Sequence, residues 1–192
     1  WIGGAVYASH HYSRNAPDLN NVNRSDFDGV SFEIAHRLIK RSAANPFAVA
    51  VSAEPRLGRV DTVSSLPSQS MNVAFKLFVD AVIVEHQWFW AANVAWTPER
   101  AEDFSDRNRW VSSSEMLIST ALTYQMSPTL FFGVEGRFLA NFNRLLPIDE
   151  AGHALYLGPT LLWKITDMVA FNTTFQPQIA GRSVSSPGRR LD

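Results

Sequence analysis

The residues whose types and spacing could do chemistry are charged side chains in long alternating segments. Between Met71 and Val84 every odd position is apolar, while the even positions include Lys76 and Asp80. Successive side chains of a β-strand point to opposite faces, so this pattern predicts a strand with one apolar and one polar face. The same assignment in the other segments places these residues on the polar face: Glu33, Arg37, Glu54, Lys76, Asp80, Glu135 and Arg137.

These polar-face charges occur in sets of opposite sign. Glu135 and Arg137 are two positions apart, and two further sets are four positions apart. Inside a narrow barrel, such charges can line a polar permeation path or gate and set its selectivity. They can equally cross-link a closed interior, because small barrels are filled by side chains alone. The pattern by itself leaves both interpretations open.

The elements that must position these charges are long strands. Alternation recurs in about nine segments of roughly 9–13 residues, whereas strands of soluble sheets have a mode of about 5–6 residues. The connections alternate in length. The expected long connections are Tyr12–Gly29, Leu57–Ser70, Thr97–Ser114 and Asn143–His153, and the expected short ones are Lys40–Asn45, Glu85–Gln87, Ser127–Thr129 and Thr166–Met168. This organisation predicts an all-β fold, a transmembrane antiparallel up-and-down β-barrel with long external loops.

Aromatic residues and prolines refine this prediction. Aromatic side chains at the ends of apolar faces are typical of membrane interfaces. The candidates for this role are Trp88, Trp96, Tyr124 and Trp163. Pro159 and Pro177 lie inside expected strands, where each predicts a bulge or a strand end. The Asn/Asp-rich segment Asp18–Gly29 lacks the ligand spacing of an EF-hand and is expected to be a solvated loop.

Composition excludes several classes of protein. The chain has 192 residues, of which 46% are hydrophobic and 18% charged, with no Cys and a formal net charge of -1. A near-neutral chain is not built to hold nucleic acid phosphates, and a chain without Cys has neither disulfides nor thiolate metal ligands. The adjacent His10 and His11 point to opposite faces of a strand, which makes them a poor metal site. We therefore expect no nucleic acid partner, no metal, no cofactor and no catalytic residues.

Three strand sequences carry a resemblance to a known family. They are FGVEGRF at 132–138, HALYLGPTL at 153–161 and QPQIAGR at 176–182. They resemble a family of proteobacterial outer-membrane β-barrel proteins of uncharacterised function, and the resemblance covers most of the chain. It implies a barrel in the outer membrane and carries over no catalytic residues. Such barrels end in a closing strand with a terminal aromatic residue, whereas this chain ends Arg190-Leu191-Asp192.

These observations lead to three hypotheses for a single β-barrel domain over residues 1–192. An odd strand number cannot close a bacterial barrel, so we expect truncation at both ends and roughly 10–14 strands when complete. The first hypothesis is a porin-like channel or transport barrel in the Gram-negative outer membrane, not an enzyme, in contact with the lipid bilayer, lipopolysaccharide and a small solute. The second is a structural or surface-binding outer-membrane barrel with a closed lumen. The third is a soluble β-barrel that binds an apolar ligand, with its apolar face inward. The sequence contains no signal for an oligomeric state.

Overall fold

The fold consists of long β-strands. A computed structural model describes residues 1–13, 22–42, 44–60, 67–103, 106 and 109–183. The strands within these residues are β1 (Ile2–Ser13), β2 (Val22–Ile39), β3 (Phe47–Val60), β4 (Pro67–Val84), β5 (Trp88–Glu102), β6 (Trp110–Gln125), β7 (Leu130–Phe142), β8 (Glu150–Lys164), β9 (Ala170–Thr174) and β10 (Gln178–Ser183). In this described part of the chain, no helix has the length and apolar character needed to cross a membrane.

All strands belong to one antiparallel sheet in which neighbours in sequence are neighbours in space. Each strand from β1 to β8 pairs with the next, and both β9 and β10 pair with β8. The prediction of an all-β, antiparallel up-and-down sheet is therefore confirmed. Within the described residues β1 does not pair with β10, so the sheet is open between these two edges.

Strand register joins the separate alternating segments into two continuous faces. Cross-strand pairing connects the apolar positions of successive strands in a single row: Ile34, Ala53, Phe75, Trp96, Met116 and Ala140. Polar-face positions are joined in the same way in another row: Phe78, Asn93, Ser119, Arg137 and Tyr156. Side-chain direction has a period of 2, so a slip of one residue in any pairing would have mixed the two faces.

The polar face is the more buried of the two. Ser52 and Ser119 are 7% and 8% exposed, whereas Phe75 and Leu77 on the apolar face are 46% and 39% exposed. The sheet is therefore concave toward its polar side. No large side chain among the described residues is fully buried. A soluble chain of this length normally buries a substantial apolar core, and the described residues form none.

Most strands are longer than the sequence predicted, and the expected long connections are shorter, whereas β9 and β10 are short strands of 5 and 6 residues. β2 and β4 each contain 18 residues, beyond the expected upper limit of roughly 13. Much of the expected loop Tyr12–Gly29 is strand, because β1 continues to Ser13 and β2 begins at Val22. Asp26 and Asp28 therefore lie in β2, while Asp18 lies outside the described residues. Strict alternation of loop length was also wrong, since the connection 40–46 is longer than the connection 61–66.

The expected ninth strand is interrupted at Pro177, close to Pro159 on the neighbouring strand. Pro177 lies between β9 and β10, as expected for a strand end, whereas Pro159 lies within the continuous strand β8. The backbone N–H of Phe175 donates to the Pro159 carbonyl at 3.1 Å. Proline has no N–H to return a hydrogen bond to Phe175, so one bond of this pair is absent. Gly158 allows the close approach, because a Cβ there would lie 1.8 Å from the Phe175 carbonyl oxygen.

Candidate functional site

The charged residues singled out from the sequence lie on the concave polar face. Glu33 is on β2, Glu54 on β3 and Lys76 on β4, where Lys76 pairs with Ser52, two positions before Glu54. Arg37 and Asp80 lie nearer the ends of these strands that lead to the connections 40–46 and 85–87. Glu135 and Arg137 are on β7, three strands beyond β4 in the sheet. The sheet therefore separates these charges into three groups.

The first group is centred on the ammonium of Lys76. Its Nζ lies 3.1 Å from Glu33 Oε1 and 2.5 Å from Glu54 Oε2. Lys76 and Glu33 come from strands separated by β3, about 10 Å apart in a flat sheet, so long side chains on a concave face are needed to join them. The ammonium, both carboxylates and three hydroxyl groups form the set that we call the Lys76 cluster: Tyr7, Ser31, Glu33, Ser52, Glu54 and Lys76.

Hydroxyl donors complete the coordination of both carboxylates in the Lys76 cluster. Ser52 Oγ donates to Glu33 Oε1 at 2.7 Å. Ser31 Oγ donates to Glu54 Oε1 at 2.6 Å, and Tyr7 OH donates to the same oxygen at 3.3 Å. The cluster thus connects β1, β2, β3 and β4. All three charged side chains are mostly buried, and each has more than one polar partner.

A second ion pair extends the Lys76 cluster toward the connections 14–21 and 61–66. Arg56 Nη2 lies 3.1 Å from Asp28 Oδ2, and the Arg56 guanidinium lies 4.3 Å from the centre of the Tyr7 ring. Asp28 is the extra residue of a β-bulge, since Tyr7 pairs with Gly29 and Ala8 pairs with Phe27. Gly29 has a φ of 152° and lies against the Leu57 carbonyl, a conformation that suits glycine.

The second group of charges lines an open cleft on the same face. The cleft has a volume of about 570 Å³. Arg37, Lys40, Arg41, Asp80 and Asn93 supply its polar lining, and we call this set the Arg37 cleft. Arg41 Nη2 is paired with Asp80 Oδ1. Within the described residues, Arg37 and Lys40 have no ion-pair partner, so their charges are unmatched.

The third group is the pair Glu135 and Arg137 on β7. Arg137 Nη2 lies 3.2 Å from Glu135 Oε1, across two positions of one strand. The buried Nε atom of Arg137 has no hydrogen-bond partner in the structure. This pair is therefore incompletely satisfied, unlike the Lys76 cluster.

No group of three or more His, Asp or Glu side chains that could hold a metal ion exists within the described ranges.

Comparison with known proteins assigns the family. A model of a family of unknown function, DUF6662, matches residues 16–190, which is most of the chain. The protein belongs to the DUF6662 family. No curated protein and no solved structure matches this DUF6662 chain.

The aromatic residues expected at membrane interfaces lie on the apolar face of the DUF6662 protein. The rings of Trp88 and Tyr124 are 5.0 Å apart beside the connections 85–87 and 126–129. Trp163, 48% exposed, lies near the same end of the sheet on β8. Trp96 stacks on Phe75 at 5.6 Å toward the opposite end, and its Nε1 donates to the Leu145 carbonyl at 3.2 Å.

Most of these charged residues pair with partners other than those that are close in sequence. Glu33 pairs with Lys76 rather than with Arg37, and Asp80 pairs with Arg41 rather than with Lys76. Only the set two positions apart, Glu135 and Arg137, pairs within itself. Residues four apart on a strand are separated by about 13 Å, whereas cross-strand neighbours on one face are about 5 Å apart.

Several members of these groups were not predicted from the sequence. Arg56 borders the expected connection Leu57–Ser70 and was not assigned to the polar face, whereas β3 continues to Val60. Asp28 is at an even position, and alternation in β2 assigns even positions to the apolar face. The bulge at Asp28 changes the direction of its side chain, which therefore points to the polar face. The dipeptide Asp28-Gly29 was the available signal, because glycine inside a strand often marks a bulge. Arg41 lies beyond the end of β2, and no alternating pattern identifies it.

Proposed function

We propose that this DUF6662 protein is an integral β-barrel of the bacterial outer membrane, with the apolar face in lipid and the polar face inside. The observation that supports this is the inverted exposure of the two faces, since charged and hydroxyl side chains are buried while large apolar ones are exposed. In hydrocarbon, each unpaired backbone group costs several kcal/mol. The proposal therefore requires edges β1 and β10 to be paired in the membrane, directly or through further strands.

The dimensions of the apolar face fit this proposal. Trp88 and Trp96 are eight positions apart on β5, which corresponds to about 26 Å along the strand. The apolar band of outer-membrane barrels is about 25 Å tall and is bordered by aromatic residues. A tilted β5 therefore places Trp88 at one border of the bilayer and Trp96 toward the other. Trp163 and Tyr124 border the same side as Trp88.

Neighbouring positions on β5 provide a direct test of the lipid-facing assignment. The chain has no Cys, so Val94→Cys and Asn93→Cys each introduce a single labelling site, one on each face. In proteoliposomes, a fluorophore at position 94 should be quenched by brominated lipid chains and protected from aqueous iodide. A fluorophore at position 93 should show the reverse. Equal quenching of both labels by iodide, or solubility of the chain without detergent, would contradict the proposal.

Within this barrel we propose a channel or transport-like role for the charged interior. Support comes from the polar face, which carries Arg137, with a side chain that is 43% exposed, and the unmatched cations of the Arg37 cleft. Conductance across planar bilayers tests the role. Arg137→Ala should change the cation-to-anion selectivity, while Arg144→Ala in the connection 143–149 serves as a control for loss of a cation elsewhere. A measurable current that Arg137→Ala leaves unchanged would remove Arg137 from the path.

A closed structural or surface-binding barrel is the second candidate, and the Lys76 cluster favours it. Its charges are paired and hydrogen-bonded across four strands, which suits an interior filled by side chains. If the cluster blocks the interior, replacement of Glu33, Glu54 and Lys76 together by Ala should raise the conductance. A soluble barrel that binds an apolar ligand is less well supported, since it requires the apolar face to be the buried one.

An external patch supports contact with lipopolysaccharide. Trp110, Leu146 and Ile148 are exposed beside the guanidinium of Arg144, at the end of the sheet that carries the connections 103–109 and 143–149. Apolar side chains next to a cation match the acyl chains and phosphates of this lipid. Removal of the patch by Leu146→Ser and Arg144→Gln should weaken binding to lipopolysaccharide-containing vesicles relative to vesicles of zwitterionic phospholipid.

A further inference from the structure

The Arg37 cleft has the volume of a small-molecule site. Its floor consists of three alanines of the polar face, Ala48 and Ala50 on β3 and Ala91 on β5. These methyl groups leave space where neighbouring positions carry long side chains. The resulting volume of about 570 Å³ lies within the range of roughly 300–1,000 Å³ that is typical of ligand pockets.

The charge of the cleft is positive. Three of its lining side chains, Arg37, Lys40 and Arg41, are cationic, whereas Asp80 supplies the single carboxylate and is already paired with Arg41. Two cations therefore point toward the cleft without a counter-charge among the described residues. This is the opposite of the Lys76 cluster, where one ammonium faces two carboxylates.

The remaining lining residues add polar and apolar recognition. Asn93 lies next to Phe78 in the ladder between β4 and β5, so an amide and an aromatic ring share one wall of the cleft. An amide can donate to an oxygen of a ligand, and an aromatic face can cover an apolar group. The volume also exceeds what an inorganic anion of four oxygens would fill.

We propose that the Arg37 cleft binds a small organic molecule that carries a doubly charged oxyanion group, of the phosphate monoester type. The planar guanidinium of Arg37 matches two phosphate oxygens, and the Lys40 ammonium acts as a compact second charge. Phe78 contacts the organic part of the ligand. This inference rests on the proposed role of the polar face as a solute path, and it names the solute class. The cleft would be a selectivity site on the side of the connections 40–46 and 85–87.

Calorimetric titration of the refolded protein in detergent with phenyl phosphate tests the site. The wild-type protein should bind phenyl phosphate more tightly than inorganic phosphate and should not bind phenol. Arg37→Gln together with Lys40→Gln should weaken binding of phenyl phosphate by at least about tenfold, since two charge-assisted contacts are lost. Lys164→Gln, which removes another cation from the polar face, should change the affinity by less than about twofold, because surface cations act only weakly at a distance.

The outcomes separate this site from the channel proposal. Equal loss of affinity in Lys164→Gln and in the double variant would overturn the site, because it would indicate a general charge effect. Undetectable binding of phenyl phosphate to a correctly folded protein would also overturn it. Inorganic phosphate bound as tightly as phenyl phosphate would overturn the organic ligand class. Binding retained by a protein without conductance would contradict the channel alone, and conductance without binding would contradict this site alone.

Discussion

The Lys76 cluster and the Arg37 cleft lie on the same face of β2, β3 and β4, yet they differ in charge balance and burial. In the Lys76 cluster, hydroxyl groups and two carboxylates surround one ammonium, and the exposed fraction of the charged side chains is 24% or less. In the Arg37 cleft, Arg41 and Asp80 are 39% and 48% exposed, and two further cations are unmatched. The comparison indicates that one region holds strands together, while the other is free to bind.

The physical cause of this difference is the size of the neighbouring side chains. Around Lys76, the polar face carries Glu33, Ser52 and Glu54, which fill the concave surface and reach one another. A few residues along β3 the same face carries Ala48 and Ala50, and no side chain of the described residues fills the space. Satisfied polar groups in a water-poor environment make a rigid network, whereas unmatched charges beside a void need solvent or a ligand.

The largest expected effect is loss of stability on replacing Lys76 by Met. This change leaves two mostly buried carboxylates without a cation, so the free energy of unfolding should fall by about 2–4 kcal/mol. Reversible unfolding by denaturant in lipid vesicles measures this value. Lys40→Met in the cleft is the matched control, and its effect should be below about 0.5 kcal/mol. Similar losses in both variants would remove the distinction between the two regions.

Removal of the Asp28 carboxylate should have the next largest effect. Asp28→Ala leaves the Arg56 guanidinium without its partner at a site where the Asp28 side chain is only 12% exposed. We expect the free energy of unfolding to fall by about 1–2 kcal/mol. Asp149→Asn breaks the exposed pair with Arg144, whose side chain is 68% exposed, and it keeps a residue that tolerates the left-handed backbone at this position (φ 66°), so it should have almost no effect. An equal loss of unfolding free energy in the control would show that burial does not determine how much these ion pairs contribute to stability.

Loss of a single hydroxyl donor tests how completely the Lys76 cluster is satisfied. Ser52→Ala removes the donor to Glu33 Oε1, which Lys76 also contacts. The expected cost is about 1 kcal/mol, because one hydrogen bond to a charged carboxylate is lost while the Lys76 ammonium still contacts the same oxygen. In the background of Lys76→Met the cost of Ser52→Ala should differ, since groups of one network do not act additively. Additive effects of the two substitutions would mean that they are independent.

The smallest expected effect sharpens the description of the Arg37 cleft. Asp80→Asn frees the Arg41 guanidinium and removes the one carboxylate that the described residues supply to the cleft. Affinity for phenyl phosphate should rise by about threefold at low ionic strength, and the gain should shrink in high salt because exposed charges are screened. A decrease in affinity would indicate that Asp80 positions Arg41 for the ligand rather than competing with it.

Much of the architecture followed from alternation alone, and the exceptions have identifiable causes. The two-residue period placed Glu54 and Lys76 on a common face because every strand obeys the same geometry. Alternation did not reveal that β3 continues past Pro55, where the ladder with β2 skips from the Ser31–Arg56 pair to the Ile34–Ala53 pair. Proline has no backbone N–H to donate, and β3 accommodates Pro55 because its pairing with β2 is interrupted at this point.

The sequence by itself determined the all-β class, the order of the strands and the residues of each face, because side-chain direction in a strand depends only on local geometry. Tertiary structure decided which charges meet. Glu33 contacts Lys76 because the concave sheet brings side chains of β2 and β4 together on one side. The spacing of residues along a single strand does not predict this distance between strands. Tertiary structure also decided that Asp28 turns inward at a bulge and that three alanines leave a cleft beside Arg37.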